Sequence, residues 1–334
     1  MTGRCHVEVM RGGIVESTHR VHVAVVDADE GLIASAGNPA HHSFVRSSIK
    51  MFQALPFVEA GGVERFQLGG EELALCTASH GGEPFHVAAA RSILRKAGVD
   101  ESALACGPHL PTHEPTAAAM IAAHESPGRV HNNCSGKHAG MIAHCIQQQW
   151  PIDGYQRPSH PMQQRIVSTL ARWMRIDKDE MSQGVDGCGL PTFAIALDAV
   201  AEGCAKFAAA VAGGDKAPAL TFNAMVSHPE YVAGTDRLDT DLMHTAQRRL
   251  FAKVGAEGFY CAGIPSRRIG IALKVEDGAK RAAEPALLAV LKRLGALDSN
   301  EYTALSRYAE PPIVNTRGEV VGRVAVDLSL SAST

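Results

Sequence analysis

The sequence predicts an α+β fold, in which an antiparallel sheet built from both chain ends accompanies an inserted, mostly helical region. Three observations carry this. Residues near the N-terminus alternate apolar and polar with the two-residue period of a half-buried strand. From residue 44 to residue 254 the pattern is rich in Ala and repeats at helical spacing. Beyond it, strand character returns.

Residues 5–11 and 14–20 flank Gly12-Gly13, a two-residue hairpin turn, and 21–26 alternates again before a turn at 27–31. Helices are expected at 87–96, 116–124, 138–149, 162–174, 204–212 and 239–254, with Gly and Pro clusters punctuating them. Strands follow at 259–262 and 269–275, then an amphipathic helix at 279–294 and a last strand pair around 319–328. The expected division is residues 1–43 plus 256–334 as a sheet layer with flanking helices and 44–255 as the helical region, together one compact catalytic unit. No internal repeat, long linker or low-complexity tract interrupts it.

A chain of 334 residues can bury a sizeable core. Its net charge of −3, without a basic run or basic–aromatic interleaving, argues against nucleic acid as a partner. No stretch approaches the roughly twenty apolar residues that span a bilayer, and the N-terminus enters its strand pattern without an apolar signal region. A cytoplasmic location is expected. The eight cysteines are spread singly, which suits thiols in a reducing compartment better than a disulfide framework.

Three polar clusters carry the chemistry. In Arg46-Ser47-Ser48-Ile49-Lys50, Ser47 stands one helical turn from Lys50. A desolvated lysine loses its proton more readily and can then accept one from a serine hydroxyl, which makes Ser47 a candidate nucleophile; Ser48 points elsewhere, and an ordinary solvated helix face is the competing reading. The second cluster, Thr77-Ala78-Ser79-His80-Gly81-Gly82-Glu83-Pro84-Phe85-His86, follows the apolar run 72–76, read as a buried strand. Pro84 suits the first turn of a helix, so Ser79 is expected on a strand-to-helix loop, either as a reacting group or as a cap.

The third cluster joins His131-Asn132-Asn133-Cys134-Ser135-Gly136-Lys137-His138-Ala139-Gly140 with Asp186-Gly187-Cys188-Gly189. Two thiolates and a lysine that has given up its proton could bind zinc, although the spacing fits no standard four-ligand site and on spacing alone buried structural cysteines are the favoured reading of such a pair. His80, Glu83 and His86 form a competing ligand set.

Together these clusters resemble one family, the rhizobial-type (class 3, asparaginase II) L-asparaginases, whose fold is similar to serine β-lactamases and glutaminases. The resemblance runs through 7–17, 46–56, 79–86, 133–141, 186–191, 228–235 and 270–278. It implies a Ser-Lys pair at Ser47 and Lys50, a second pair at Ser79 and Lys274, and one zinc ion held by Cys134, Lys137 and Cys188, with the catalytic need for the metal left open. It also implies a homodimer acting on L-asparagine.

In the implied mechanism Ser47 attacks the side-chain carboxamide, Lys50 takes its proton, Ser79 relays a proton to departing ammonia with Lys274 tuning it, and water releases aspartate. A backbone N–H at the start of the Ser47 helix could bind the oxyanion. Arg46 could pair with the substrate α-carboxylate, although an ordinary exposed arginine is the favoured reading, and His138 and Asp186 are expected at the substrate or orienting the metal. Glutaminases use the same chemistry on a side chain one methylene longer, a difference worth about 1–3 kcal/mol, so the substrate preference stays open. No Lys-Thr-Gly triad appears near the C-terminus, which counts against penicillin-binding proteins and β-lactamases. A non-catalytic amino-acid sensor is the reading from another class.

Overall fold

The alternating N-terminal residues form two long antiparallel strands in a computed structural model that describes residues 3–332, β1 (Arg4–Arg11) and β2 (Ile14–Asp27). Gly12 and Gly13 join them with φ of 55° and 80°, a left-handed turn that glycine enters without a Cβ penalty. The stretches 14–20 and 21–26 are one continuous strand, since nothing at Arg20-Val21 breaks the extended backbone. β3 (Gly31–Ala36) and β4 (His42–Phe44) follow, then β5 (Ser182–Val185) and β6 (Pro191–Ala196) inside the region expected to be helical. Near the C-terminus come β7 (Phe251–Val254), β8 (Phe259–Ile264), β9 (Ile269–Val275), β10 (Pro312–Val314), β11 (Val320–Ser329) and β12 (Ser331–Ala332).

Two units emerge. The first holds the chain through Ser48, Ala194–Ala212 and the stretch from Asp241; the second holds Ile49–Phe193 and Gly213–Thr240. In the first, the strand order β10-β11-β1-β2-β9-β8-β7 is antiparallel throughout, with β3 joined to β2 and β12 to β3. Both chain ends therefore supply the sheet, and the architecture is α+β as expected. β9 is buried along its whole length, with Val21 opposite Val275 and Ala24 opposite Ala272. Helix Leu197–Ala212 packs on it so closely that a Cβ at Gly270 would lie 2.1 Å from the Ala201 carbonyl oxygen.

That packing draws Ala194–Ala212 into the sheet unit, whereas a division by sequence leaves it in the helical region. Which helix meets which sheet is a matter of long-range packing and leaves no mark in composition. The helix expected over 239–254 ends early: it spans Leu238–Thr245, and Gln247 and Arg248, both at positive φ (48° and 64°), turn the chain into β7. Gly263 of β8 leaves the space that the ring of Phe251 fills on that edge strand.

The second unit contains helices Lys50–Glu59, Gly70–Cys76, Pro84–Lys96, Glu114–Ala122, Ser135–Gln147, Pro161–Met174 and Lys216–Ser227. The run 72–76, expected as a strand, is the helix Gly70–Cys76. The Glu72 carboxylate accepts from the Gly69 N–H at 2.7 Å and pairs with Lys96 at 2.6 Å, closing a capping arrangement at the helix start. Burial on every side hides the helical period, because Glu72 through Cys76 are all interior. Among the described residues no helix is long and apolar enough to cross a membrane.

Candidate active site

Arg46, Ser47, Ser48 and Ile49 form a 3-10 turn that runs directly into helix Lys50–Glu59. Ser47 lies inside this turn, three positions before Lys50, which opens the helix that follows it. Arg46 has φ of 50°, a left-handed conformation that a bulky side chain seldom adopts, immediately before the serine. The Ser48 hydroxyl donates to the Val45 carbonyl at 2.7 Å and is fully buried, so it is committed to the backbone; Ser47 is half-buried. The local geometry thus separates the two serines.

Lys50 is entirely buried, and its amine reaches the Ala78 carbonyl at 2.5 Å, Ser79 Oγ at 2.8 Å and Cys134 Sγ at 3.1 Å. Burial pulls this amine below its ordinary value, although the nearby thiols work against the shift. Ser79 sits on a helix-to-helix loop, with its N–H bound to the Val232 carbonyl at 2.9 Å and the next N–H, of His80, to the Asn133 carbonyl at 3.0 Å. A neutral Lys50 has a lone pair to offer the Ser79 hydroxyl.

Close helix packing brings the third cluster alongside. A Cβ on Gly136 would lie 2.4 Å from the Leu75 carbonyl oxygen, and one on Gly140 would lie 2.8 Å from Cys76 Sγ, so two glycines four apart let helix Ser135–Gln147 press against Gly70–Cys76. Cys134 precedes that helix and Lys137 lies in its first turn; the Lys137 amine is 3.4 Å from Cys188 Sγ. Cys188 stands in a tight loop where the Asp186 N–H meets the Leu190 carbonyl at 2.8 Å.

The hydrogen bond from Cys134 holds Cys188 well below the usual thiol range, and the Lys137 charge adds to it, while Cys134 is pushed up by the same partnership. Burial opposes the charged form of Lys137, but Cys134, Cys188 and Asp186 outweigh it and raise that amine. Among the described residues no group of three or more His, Cys, Asp or Glu side chains could hold a metal. The donor set that does meet is two thiols, which as thiolates are ligands zinc accepts, and one lysine amine, whose proton a metal would have to displace.

His138 adds an orphaned atom. The Tyr155 oxygen accepts from the Ala105 N–H at 2.9 Å and shares a hydrogen bond of 2.5 Å with His138 Nδ1, so the free polar atom of the ring is Nε2. That nitrogen is buried without a hydrogen-bond partner. Burial holds the ring neutral, pushing it down to about 3. It is a buried polar atom left for a ligand to engage.

The competing set of His80, Glu83 and His86 is fully occupied by structural bonds. Gly82 N–H donates to His80 Nδ1 at 3.1 Å, so His80 Nε2–H faces Ser135 Oγ at 2.9 Å; Glu83 N–H donates to His86 Nδ1 at 3.2 Å, and His86 Nε2–H donates to the Glu230 carbonyl at 2.8 Å. The Glu83 carboxylate accepts from the backbone and hydroxyl of Thr235 at 2.9 and 2.7 Å.

Lys274 lies on β9 in the first unit, where its amine binds the Val275 carbonyl. Burial lowers it, against Glu257, Asp277 and Glu276. A second buried lysine in that unit escaped sequence reasoning. Lys253 of β7 is fully interior, donates to the Val254 carbonyl at 3.1 Å and stands opposite Cys261, whose thiol donates to the Ser48 carbonyl at 3.0 Å. Two residues on, a Cβ at Gly255 would lie 3.0 Å from the Val45 carbonyl oxygen, so β7 passes beside the turn that carries Ser47. The available signal was Lys253-Val254-Gly255 on a strand, missed because the stretch read as helix and lacked the threonine of a Lys-Thr-Gly triad.

A family described as L-asparaginase II matches residues 7–326. A solved structure, "Structure of the octameric penicillin-binding protein homologue from Pyrococcus abyssi", is similar over 82% of this chain and 73% of that one, with 14% sequence identity and a TM-score of 0.33. Among curated proteins none matches. Since the family match runs from β1 to β11 and takes in every residue of the serine, lysine and thiol clusters, the chain belongs to the L-asparaginase II family, a group of asparaginase-type amidohydrolases.

Proposed function

We propose that the protein hydrolyses L-asparagine to L-aspartate and ammonia through a seryl acyl-enzyme. The observation that carries this reading is the fully buried Lys50 amine 2.8 Å from Ser79 Oγ, three residues after Ser47, in a member of this family. Ser47 Oγ attacks the carboxamide carbon and its proton passes to neutral Lys50. Ser79 Oγ, in contact with that amine, hands a proton to the nitrogen as the C–N bond breaks, and ammonia leaves. Water then adds to the ester, its proton returns through the same pair, and aspartate departs.

Arg46 takes the substrate α-carboxylate, while His138 Nε2 and Asp186 hold its polar groups. The resemblance assigns the second lysine to Lys274; the passage of β7 beside the turn that carries Ser47 favours Lys253 as the lysine that tunes the Ser47 side of the reaction. Cys134, Lys137 and Cys188 would hold a zinc ion, which supplies a fixed positive charge for the substrate's polar atoms when bound. The reading includes a cytoplasmic homodimer, which sedimentation of the purified protein and cell fractionation check.

Ammonia release from L-asparagine and, in parallel, from L-glutamine tests the function. Release from asparagine, abolished in a folded Ser47→Ala variant, is the expected result; release from glutamine alone would change the substrate, and a fully active Ser47→Ala protein would overturn the nucleophile. Elemental analysis should find about one zinc per chain, lost in a Cys134→Ala, Cys188→Ala double variant. A metal-free wild-type protein prepared without chelator would exclude the metal.

A further inference from the structure

Beside the Ser79 loop the second unit has a cavity of about 360 Å³ that none of Lys50, Ser79, Cys134, Lys137 or Cys188 lines. Its polar walls come from Thr112, His113, Glu114, Thr235, Asp236 and Arg237. The charges are of both signs and few. Arg237 is half-buried, and among the described residues no hydrogen bond or ion pair engages its guanidinium; Glu114 is an exposed carboxylate lining the same space. Asp236 has φ of 57° and Gly234 of 117°, so the wall carrying Arg237 is held in a sparsely populated backbone conformation. A Cβ at Gly234 would lie 2.7 Å from Glu83 Oε1, so glycine is needed there on two grounds.

We propose that this cavity is a second ligand site, for a free α-amino acid in its zwitterionic form, with Arg237 gripping the carboxylate and Glu114 the ammonium. A guanidinium fork matches a carboxylate with two parallel hydrogen bonds, and an ammonium needs the acceptor that Glu114 offers. Few convergent polar groups in a preformed concavity are what fix the orientation of so small a ligand. The inference goes beyond the hydrolytic reading and does not depend on it.

The site is also wired to the Ser79 loop. Thr235 is bound through its N–H and hydroxyl to Glu83, His113 Nδ1 lies 3.8 Å from the same carboxylate, and the His113 N–H donates to the Gly81 carbonyl at 3.0 Å. Both walls therefore hang on residues two and four positions after Ser79. A ligand that draws Arg237 and Glu114 together acts on the loop through Glu83.

L-Aspartate is the probe, since it has no amide to be hydrolysed. Phenylglyoxal modifies accessible arginines, and peptide mass spectrometry reads Arg237 by itself. Saturating L-aspartate should slow Arg237 modification in the wild-type protein about tenfold, and succinate, which has no ammonium, should protect far less. Glu114→Gln should remove the aspartate protection while Arg237 stays reactive. Equal modification rates with and without aspartate, or protection by succinate equal to that by aspartate, would overturn the proposal.

Discussion

At the scale of single residues, burial decides which groups can move protons. Lys50 has an amine with no solvent around it, and the neutral form is the one that can accept the serine proton. The activity should therefore climb as pH rises through a value depressed below 10.5. Replacing this residue in Lys50→Met removes the amine without leaving a buried charge, so the protein should fold while kcat falls about a thousandfold. Circular dichroism and the pH profile of kcat/KM check both halves. His86 makes the complementary case for stability: burial holds it neutral, down to about 4, against an ordinary value of 6.5. Its contribution is complete above pH 6.5 and is lost as pH falls toward 4, because the unfolded chain binds the proton that the folded ring refuses. That amounts to on the order of 3 kcal/mol over the window, and His80 and His138, also lowered by burial, act in the same direction. Urea midpoints at pH 7 and pH 4.5 should differ accordingly, with His86→Gln removing its share of the difference.

Between elements, the decisive contact is the glycine seam that lets helix Ser135–Gln147 approach Gly70–Cys76. Gly136→Ala puts a methyl 2.4 Å from a backbone oxygen, which no rotamer change can relieve. The variant should lose about 1–3 kcal/mol of stability, and activity more than stability, since the end of Gly70–Cys76 carries the Ser79 loop toward Lys50. Gly187→Ala is the matched control: nothing stands within 4 Å of its Cβ position and its φ is unexceptional, so its melting temperature should stay within about two degrees of wild type although it adjoins Cys188. Equal losses in the two variants would mean that the helix seam does not position the site. Ser79 itself was legible as a loop residue before a Pro-initiated helix, but the preceding element was not. Its uniform burial erased the polar phase by which a helix is recognised, and the cap formed by Glu72 was the remaining cue.

On the scale of the whole molecule, the sheet joins residues that are hundreds of positions apart. Arg4 pairs with Ser329 and Val21 with Val275, while the chain between them visits the second unit twice. A fragment ending at residue 240 keeps all of the second unit but lacks β9 and β11, the partners of β2 and β1, so amide hydrogen exchange should find Val7, Val9, Val21, Val23 and Val25 unprotected, and co-expression of 241–334 should restore their protection. Protection of those residues in 1–240 alone would show that the two chain ends are not mutually required. The same topology explains which parts of the site could be read in advance. Ser47 with Lys50, and Cys134 with Lys137, are neighbours along the chain and visible as motifs, whereas the contact of Lys50 with Ser79 spans 29 positions and that of Lys137 with Cys188 spans 51. Lys253 lay outside every local pattern because its relevance comes from the strand opposite it.

Period-two alternation at both ends and the Gly12-Gly13 turn were sufficient to establish the α+β class and the terminal sheet, while the serine, lysine and thiol spacings marked the residues proposed here as reactive. They are local signals, set by backbone periodicity and by the chemistry each side chain carries wherever it lies. Only the tertiary structure decided that 194–212 joins the sheet, that Ser48 is spent on Val45, that His80, Glu83 and His86 are bonded into the framework, and that β7 rather than a helix carries Lys253. Those outcomes depend on desolvation and on close approach between distant segments, and neither has a counterpart in the order of residues along the chain.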